Sequence, residues 1–259
     1  AAHYALREAL LAGATVAACL SEPGRSFALQ PAATLADGRV SGEKDAVSFA
    51  ESVDLLAVPV VGALALVPRG ASGIEFEDEH TLDPTLRPAL VRLDDAEPSS
   101  VVEGVTQVEM LAAVGGILAS AESVGAASAV LGLAREYAAQ RRQFGHTIAS
   151  FQALRHLLAD MHVKVESSWS SVLFAAASLD EEQGDALQTA SIAKAYAARA
   201  TRDVAHGALQ VFGGIAFTAE HSAHRYLRRI IVRGEQFGSA TEHERALGRT
   251  LAARVEVPA

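Results

Sequence analysis

Several positions along this sequence carry the chemistry that binds a phosphate-bearing nucleotide. Arg141 offers a planar guanidinium that can donate two parallel hydrogen bonds to phosphate oxygens. Gly213 and Gly214 let backbone N–H groups approach a phosphate or a ribose, because no Cβ stands in the way. Gln152 and Gln210 each carry an amide that donates and accepts hydrogen bonds, which suits a ribose or an adenine edge. These residue types form a phosphate-compatible set if the fold brings them together.

Each of these positions also has an ordinary structural explanation. Arg141 and Arg142 taken alone fit a solvated helix end, and Gly213 with Gly214 taken alone fits the end of a helix. Gln152 in isolation fits a surface position. The residue types therefore leave both nucleotide binding and plain helix termini open.

Two histidines raise the question of a metal. His221 and His224 stand three residues apart beside Glu220. A His-x-x-His pair without a third ligand at helical spacing is a weak metal signal. We therefore expect no metal site.

Composition narrows the class of protein. The chain has 259 residues, of which 50% are hydrophobic, so it can bury a substantial core in one large domain or two smaller ones. A net charge of -9 with dispersed basic residues opposes nucleic acid as a partner. Cys19 is the only cysteine, which excludes an intrachain disulfide and favours a reducing compartment, so we expect a cytoplasmic protein. No uninterrupted apolar run approaches the ~20 residues of a membrane span.

The first part of the chain has the pattern of strands. Asp37 and Gly38 form a hairpin-turn signal, because such turns need positive φ. Residues 15–100 are therefore predicted to form a small antiparallel β domain. Its strands are expected within short apolar or alternating stretches at 15–20, 27–35, 39–48, 54–67 and 88–93.

The rest of the chain has helical periodicity. Apolar residues recur at three- and four-residue spacing from about residue 106, again from about 154 to 173, and over 185–212 and 240–253. Long helices with short connections pack most simply as an antiparallel four-helix bundle, predicted here for residues 101–259. The fold class is thus α+β, a β domain followed by a helical bundle.

Two helical segments resemble the C-terminal domain of acyl-CoA dehydrogenases. Residues 136–145 (EYAAQRRQFG), followed by Phe151 and Gln152 and then by residues 159–161 (ADM), match a family series in order and spacing. Residues 210–214 (QVFGG), with Arg225 and Arg228 after them, are similar to a second family signature. Residues 20–24 (LSEPG) and 42–44 (GEK) are similar to segments of the family's middle β domain, so the resemblance covers nearly the whole chain.

The resemblance implies FAD as cofactor, shared across a dimer interface. In that family, the β domain of one subunit holds the isoalloxazine ring, and the neighbour holds the adenosine-diphosphate end. The positions of this chain that correspond to the neighbour's set are Arg141, Gln143, Phe144, Gln152, Gln210, Gly213 and Gly214. Residues 1–14 would then be a remnant of the family's N-terminal helical domain, most of which this sequence lacks.

The same resemblance leaves this chain without a catalytic base. The family removes the α-proton of an acyl-CoA with a glutamate, and Phe237 occupies the place of that glutamate. A minority of members carry the base on an earlier helix, near Gly115 and Gly116 here. Glu235, two residues before Phe237, is the alternative base, whereas Glu122 is interpreted as structural.

The flavin-ring side of the pattern is eroded as well. The places of the Trp and Thr that normally flank the flavin hold Ala46 and Ser48. The neighbour-facing set is intact while the self-facing set is degraded. This contrast predicts a heteromer, an α2β2 assembly in which this chain completes the FAD site of a homologous catalytic subunit that binds most of the acyl-CoA.

The resemblance to two-subunit actinobacterial enzymes further implies CoA thioesters from steroid catabolism and electron-transfer flavoprotein, or a similar protein, as acceptor. Two alternatives stay open. One is a self-sufficient acyl-CoA dehydrogenase that uses Glu235 as base. The other is a non-catalytic scaffold that has lost flavin.

Overall fold

The computed structural model describes residues 10–25 and 31–255, and side chains as far as residue 253. The first nine residues of the expected helical remnant and residues 27–30 of the second expected strand lie outside these ranges. The chain divides into two compact units, Ala1–Gly115 and Gly116–Ala259.

The first unit is built from eight described strands. They are β1 Val16–Ala18, β2 Thr34–Ala36, β3 Arg39–Ser48, β4 Leu55–Val60, β5 Ala63–Pro68, β6 Ile74–Asp78, β7 Pro88–Ala96 and β8 Ser100–Glu103. They form two four-stranded sheets, in the orders β1-β4-β5-β8 and β2-β3-β7-β6. All pairs are antiparallel except β1 with β4. The predicted β structure is thus confirmed. The structure also contains two strands, β6 and β8, that the sequence pattern did not predict.

Turn chemistry sets the register of the first hairpin. Asp37 and Gly38 have φ of 50° and 74°, which is the turn that joins β2 to β3 with the right-handed twist of strands. A second departure from regular strand lies within β3, where the register with β7 shifts between Lys44 and Val47. Ala46 takes φ 50° at this bulge.

The helices are α1 Val105–Gln140, α2 Gln152–Asp180, α3 Ala186–Phe212, α4 Ala223–Glu235 and α5 Ala240–Val255, with a short hairpin of β9 Arg142–Gln143 and β10 His146–Thr147 between α1 and α2. The predicted class, strands followed by long helices, is confirmed. α4 was not predicted. The domain boundaries predicted at residues 14 and 100 stay a prediction.

α3 is the most deeply buried of the five helices. Small side chains such as Ala193, Ala197 and Ala205 are buried along it, which lets neighbouring helices approach closely. At Gly207 a Cβ would lie 2.8 Å from the sulfur of Met161 in α2, so a larger residue there would have to displace the Met161 side chain. α3 packs against α2, α4 and α5.

α1 is the one helix in the described ranges that is long and apolar enough, by length and composition, to cross a bilayer. Half of its apolar window is buried within the protein, as in the core helix of a folded domain. Length and apolarity alone are weak support for a span.

Candidate functional site

The first group of predicted site residues lies at the junction of α1 and α2. Arg141 ends α1, its backbone N–H bonding the Tyr137 carbonyl at 2.8 Å. Gln143 lies in the β9–β10 hairpin, which is closed at its base by the Ile148 N–H bonding the Arg141 carbonyl at 2.8 Å. Phe144 has φ 52° in the hairpin turn, and its ring meets that of Phe151 edge-on at 6.3 Å.

The second group lies at the end of α3. Gln210 is in its last turn, and Gly213 follows with φ 67° and ψ −145°, a conformation that L residues rarely adopt. The Gly213 N–H bonds the Leu209 carbonyl and so terminates the helix. Apart from the chain neighbours of each glycine, no atom of the described residues lies within 4 Å of the point where a Cβ on Gly213 or Gly214 would stand, so a ligand can reach this backbone.

A ring contact joins the two groups. Tyr137, one turn before Arg141, packs edge-on against Phe212, whose centroid is 5.4 Å away and which directly precedes Gly213. The ends of α1 and α3 are therefore neighbours, and residues separated by some seventy positions in sequence share one end of the bundle.

The side chains of this group are exposed and largely uncommitted. Phe144 is 88% exposed, and Arg141, Gln143, Gln152, Gln210 and Gly214 are also exposed. Within the described residues the Arg141 guanidinium has no hydrogen bond or ion pair, whereas Arg142 donates to the Gly145 carbonyl at 3.3 Å. A free guanidinium beside an open glycine backbone fits a pyrophosphate, and the nearby amides and aromatic ring fit an adenosine. The residues thus fit the adenosine-diphosphate portion of FAD.

The two positions at which the resemblance places a base lie side by side. Phe237 follows α4 with φ 60°, and its Cβ is 3.9 Å from the point where a Cβ on Gly116 would stand. His243 Nε2 lies 2.9 Å from the Phe237 carbonyl oxygen and helps to fix this left-handed residue. One location therefore presents a phenyl ring and the other a glycine, and neither presents a carboxylate.

The nearby carboxylates are engaged elsewhere. Glu235 accepts a hydrogen bond from Arg202 Nη2 at 2.9 Å, with its side chain 58% exposed. Glu122 accepts from Arg229 and, at 2.5 Å, from Arg233 Nε. Two guanidiniums thus hold the Glu122 carboxylate in an ion-pair network.

Lys194, which the sequence does not mark as a site residue, borders the base position at Gly116. It is 1% exposed, and Nζ donates to the carbonyls of Arg233 at 2.9 Å and Gly234 at 2.7 Å. Its Cγ lies 3.8 Å from the Cβ point of Gly116. Burial lowers the pKa of Lys194 to about 8. A lysine on an alanine-rich helix carries no sequence signal of burial.

The flavin-wall positions lie at the β3 bulge of the first unit. The Ala46 N–H bonds Glu79 Oε2 at 2.6 Å. Burial, together with the charge of Glu79, raises the pKa of the adjacent Asp45 carboxyl. The residues around position 46 are thus small or acidic, whereas the resemblance predicts an aromatic residue beside the flavin ring.

His221, one of the two histidines considered as metal ligands, has another role. Its Nδ1 accepts the N–H of Ala223, the first residue of α4, at 3.2 Å. Across residues 10–25 and 31–255, no group of three or more His, Cys, Asp or Glu side chains has the arrangement of a metal site.

Known proteins resemble the chain in sequence and in fold. The chain is 36% identical over 149 residues to acyl-CoA dehydrogenase IpdE2 of Mycobacterium tuberculosis, a match that covers 58% of this chain and 43% of that protein. A variant of the Tcur3481-Tcur3483 steroid ACAD superimposes with a TM-score of 0.89 at 25% identity, covering 99% of this chain and 73% of that one. The ChsE4-ChsE5 complex from Mycobacterium tuberculosis gives 0.81 at 26% identity, over 95% and 70%.

The match to the family itself is longer than half of the chain. The chain spans less than half the length of the IpdE2 proteins that it matches. Residues 103–251 match the model of the acyl-CoA dehydrogenase C-terminal domain. The predicted family is thereby confirmed. This chain belongs to the acyl-CoA dehydrogenase family.

Proposed function

We propose that this chain is the base-lacking subunit of a heteromeric, FAD-dependent acyl-CoA dehydrogenase. It supplies the adenosine-diphosphate half of the FAD site to a homologous partner subunit, in an α2β2 assembly. When bound, FAD supplies the hydride acceptor for α,β-dehydrogenation of a CoA thioester. The residues of this chain bind and orient the far end of that cofactor.

The proposal rests on the location and the chemistry of the seven residues that are predicted to bind the nucleotide. They come from the ends of α1 and α3, the β9–β10 hairpin and the start of α2, and the Tyr137–Phe212 contact holds those ends together. Arg141 has no partner among the described side chains, and an uncompensated cation on an acidic chain is suited to an anionic ligand. Six exposed positions and the half-buried Gly213, with matching chemistry at one end of the helical unit, support an intermolecular site.

Three further observations support the absence of a base in this chain. Phe237 and Gly116 occupy the two base positions and border each other. Glu235, the base in the alternative hypothesis of a self-sufficient enzyme, is exposed at the surface and pairs with Arg202. Glu122 is held by two arginines. A self-sufficient enzyme would need Glu235 to leave its ion pair.

The partner, substrate and acceptor are inferred from relatives. A steroid ACAD and a ChsE4-ChsE5 complex are among the most similar folds, and both names denote two chains. They support a homologous catalytic partner and a steroid-derived CoA thioester bound mainly by that partner. Electron-transfer flavoprotein, or a similar protein, as acceptor and a cytoplasmic location follow from the resemblance and the composition alone.

The test is co-expression with a gene for a homologous chain that carries the family's glutamate at the position that Phe237 occupies here. Arg141→Ala should weaken FAD retention by the complex about tenfold to hundredfold, since a charge-assisted hydrogen bond contributes on the order of 1.5–3 kcal/mol. Arg142→Ala is the matched control, because that guanidinium bonds its own hairpin. Equal FAD retention by both variants would reject the proposed half-site.

Two arms of the same experiment separate the alternatives. Glu235→Gln should leave turnover of the complex nearly unchanged, whereas it should abolish turnover if Glu235 is the base. A purified complex without flavin absorbance would instead support the scaffold reading.

A further inference from the structure

Three aromatic rings form a row beneath the proposed nucleotide half-site. Phe212 lies in the middle and is 5% exposed. Tyr137 meets one side of it, with ring centroids 5.4 Å apart, and His221 meets it at 4.4 Å with a tilt of 58°. The row links the last turn of α1, the end of α3 and the segment before α4.

His221 is fixed at a second point. Its Nδ1 accepts the Ala223 N–H at 3.2 Å, at the start of α4. The first N–H groups of a helix have no intrahelical acceptor, so this bond satisfies one of them and sets the plane of the ring. The same nitrogen is thereby occupied, which argues against His221 as a metal ligand through Nδ1.

The segment closed by this pair contains the two glycines of the half-site. Phe212 precedes Gly213 and Gly214, and His221 ends the connection to α4. Between them only Ala216 is buried, while Ile215 is 48% and Phe217 80% exposed. Residues Gly213–Phe217 form a short 3₁₀ helix, which Thr218 closes by donating its N–H at 3.1 Å and its hydroxyl at 3.0 Å to the Ile215 carbonyl. The helix is mostly exposed, so its position relative to the end of α1 depends on the residues that hold its two ends.

We propose that His221 is a positioning residue for the nucleotide half-site. Its ring, packed at a tilt against Phe212 and hydrogen-bonded to the Ala223 N–H, clasps the connection of residues 213–220 so that the Gly213–Gly214 backbone faces the end of α1 that carries Arg141. The inference rests on the proposed function, which names the nucleotide, and it assigns to His221 a role that neither the motifs nor the comparisons assign.

A positioning role differs measurably from plain packing. His221→Leu removes the ring and the acceptor together. His221→Phe keeps a ring against Phe212 and removes only the acceptor. His224→Leu is the matched control, because His224 lies three residues further on, in the first turn of α4, and makes no hydrogen bond, ion pair or ring contact with any described residue.

Two measurements on the full chain test the clasp. The first is amide hydrogen exchange over residues 213–222 without ligand, which His221→Leu should accelerate and His224→Leu should not. The second is titration with adenosine diphosphate, followed by the backbone amide signals of Arg141, Gly213 and Gly214. His221→Leu should weaken binding about two- to tenfold, the scale of one aromatic contact, and His221→Phe should recover most of it.

The outcomes separate the two proposals. Unchanged exchange and unchanged adenosine-diphosphate affinity in a folded His221→Leu variant would overturn the clasp and leave the half-site standing. A wild-type chain whose Arg141 and Gly213 signals do not respond to adenosine diphosphate would overturn the proposed function and the positioning role with it. Weakening by His221→Leu with recovery in His221→Phe supports both.

Discussion

Lys44 Nζ lies 2.6 Å from Glu22 Oε1, so the two β-domain motifs that resemble the family separately are joined by one buried ion pair. Lys44 is fully buried, and Glu22 also accepts the N–H groups of Ala32 and Ala33. The pair ties the segment after β1 to the middle of β3. Ala46 and Ser48, the positions predicted to flank the flavin, come two and four residues after Lys44 in the chain.

Breaking this pair from one side should destabilise the β unit. Lys44→Met leaves the Glu22 carboxylate buried with only backbone donors and Arg25, and removing one member of a buried pair costs about 3–5 kcal/mol. Urea unfolding measures this loss. The double variant Glu22→Gln, Lys44→Met should recover part of it, and a Lys44→Met chain as stable as wild type would contradict the role of the pair.

The same pair predicts an acid limb of stability. Burial opposes ionisation of Glu22, but hydrogen bonds from Lys44 and the Ala32 and Ala33 amides outweigh it and lower its pKa from 4.5 to about 2. A lowered folded-state pKa stabilises the protein above the unfolded value, so this contribution should be lost as pH falls from 4.5 towards 2. Thermal unfolding across that range should show a shallower loss in Glu22→Gln than in wild type.

Lys194 predicts an alkaline limb in which stability also rises with pH. Burial lowers its pKa from 10.5 to about 8, although Glu235 and Glu242 favour the charged form. Between those values the unfolded chain binds more protons, so the free energy of unfolding should rise with pH, by at most about 1.4 kcal/mol per pH unit. Lys194→Met should lack this rise. Parallel pH profiles in the two proteins would show that Lys194 keeps its ordinary pKa.

Glu122 should contribute more to stability than Glu235, although each carboxylate pairs with arginine. Glu122 bonds both Arg229 and Arg233, whose side chains are 27% and 15% exposed, and thereby holds α4 against α1. Glu122→Gln should cost about 1–3 kcal/mol, whereas Glu235→Gln, at a surface pair with Arg202, should cost about 0–1 kcal/mol. Chemical unfolding of both variants checks the ranking, which equal losses would contradict.

How far the sequence predicts this molecule depends on the kind of signal. Strand alternation and helical periodicity predict the order of β domain and helices, and the glycine pair predicts the end of α3 at Phe212. α4 was missed because its arginines interrupt the apolar pattern, and Ala223, Ile230 and Gly234 are its only buried residues. A buried face of three residues is too narrow to be recognised from the periodicity of the sequence.

The candidate site also combines features that the sequence predicts with features that it does not. The residues of the nucleotide half-site are recognisable by type and spacing, and their common location supports the set. Their connection through Phe212 was not predictable, because Tyr137 and His221 reach that ring from distant positions in sequence. The burial of Lys194 was not predictable for the same reason, because the backbone carbonyls that it bonds belong to another helix, α4.

The most direct measurement of the central claim is the ratio of FAD to polypeptide, in the chain purified alone and in complex with its homologous partner. The account predicts no stoichiometric FAD and no dehydrogenation from the chain alone, and one FAD for each pair of unlike chains in the complex. A chain that alone retains one FAD per polypeptide and oxidises a CoA thioester would contradict it.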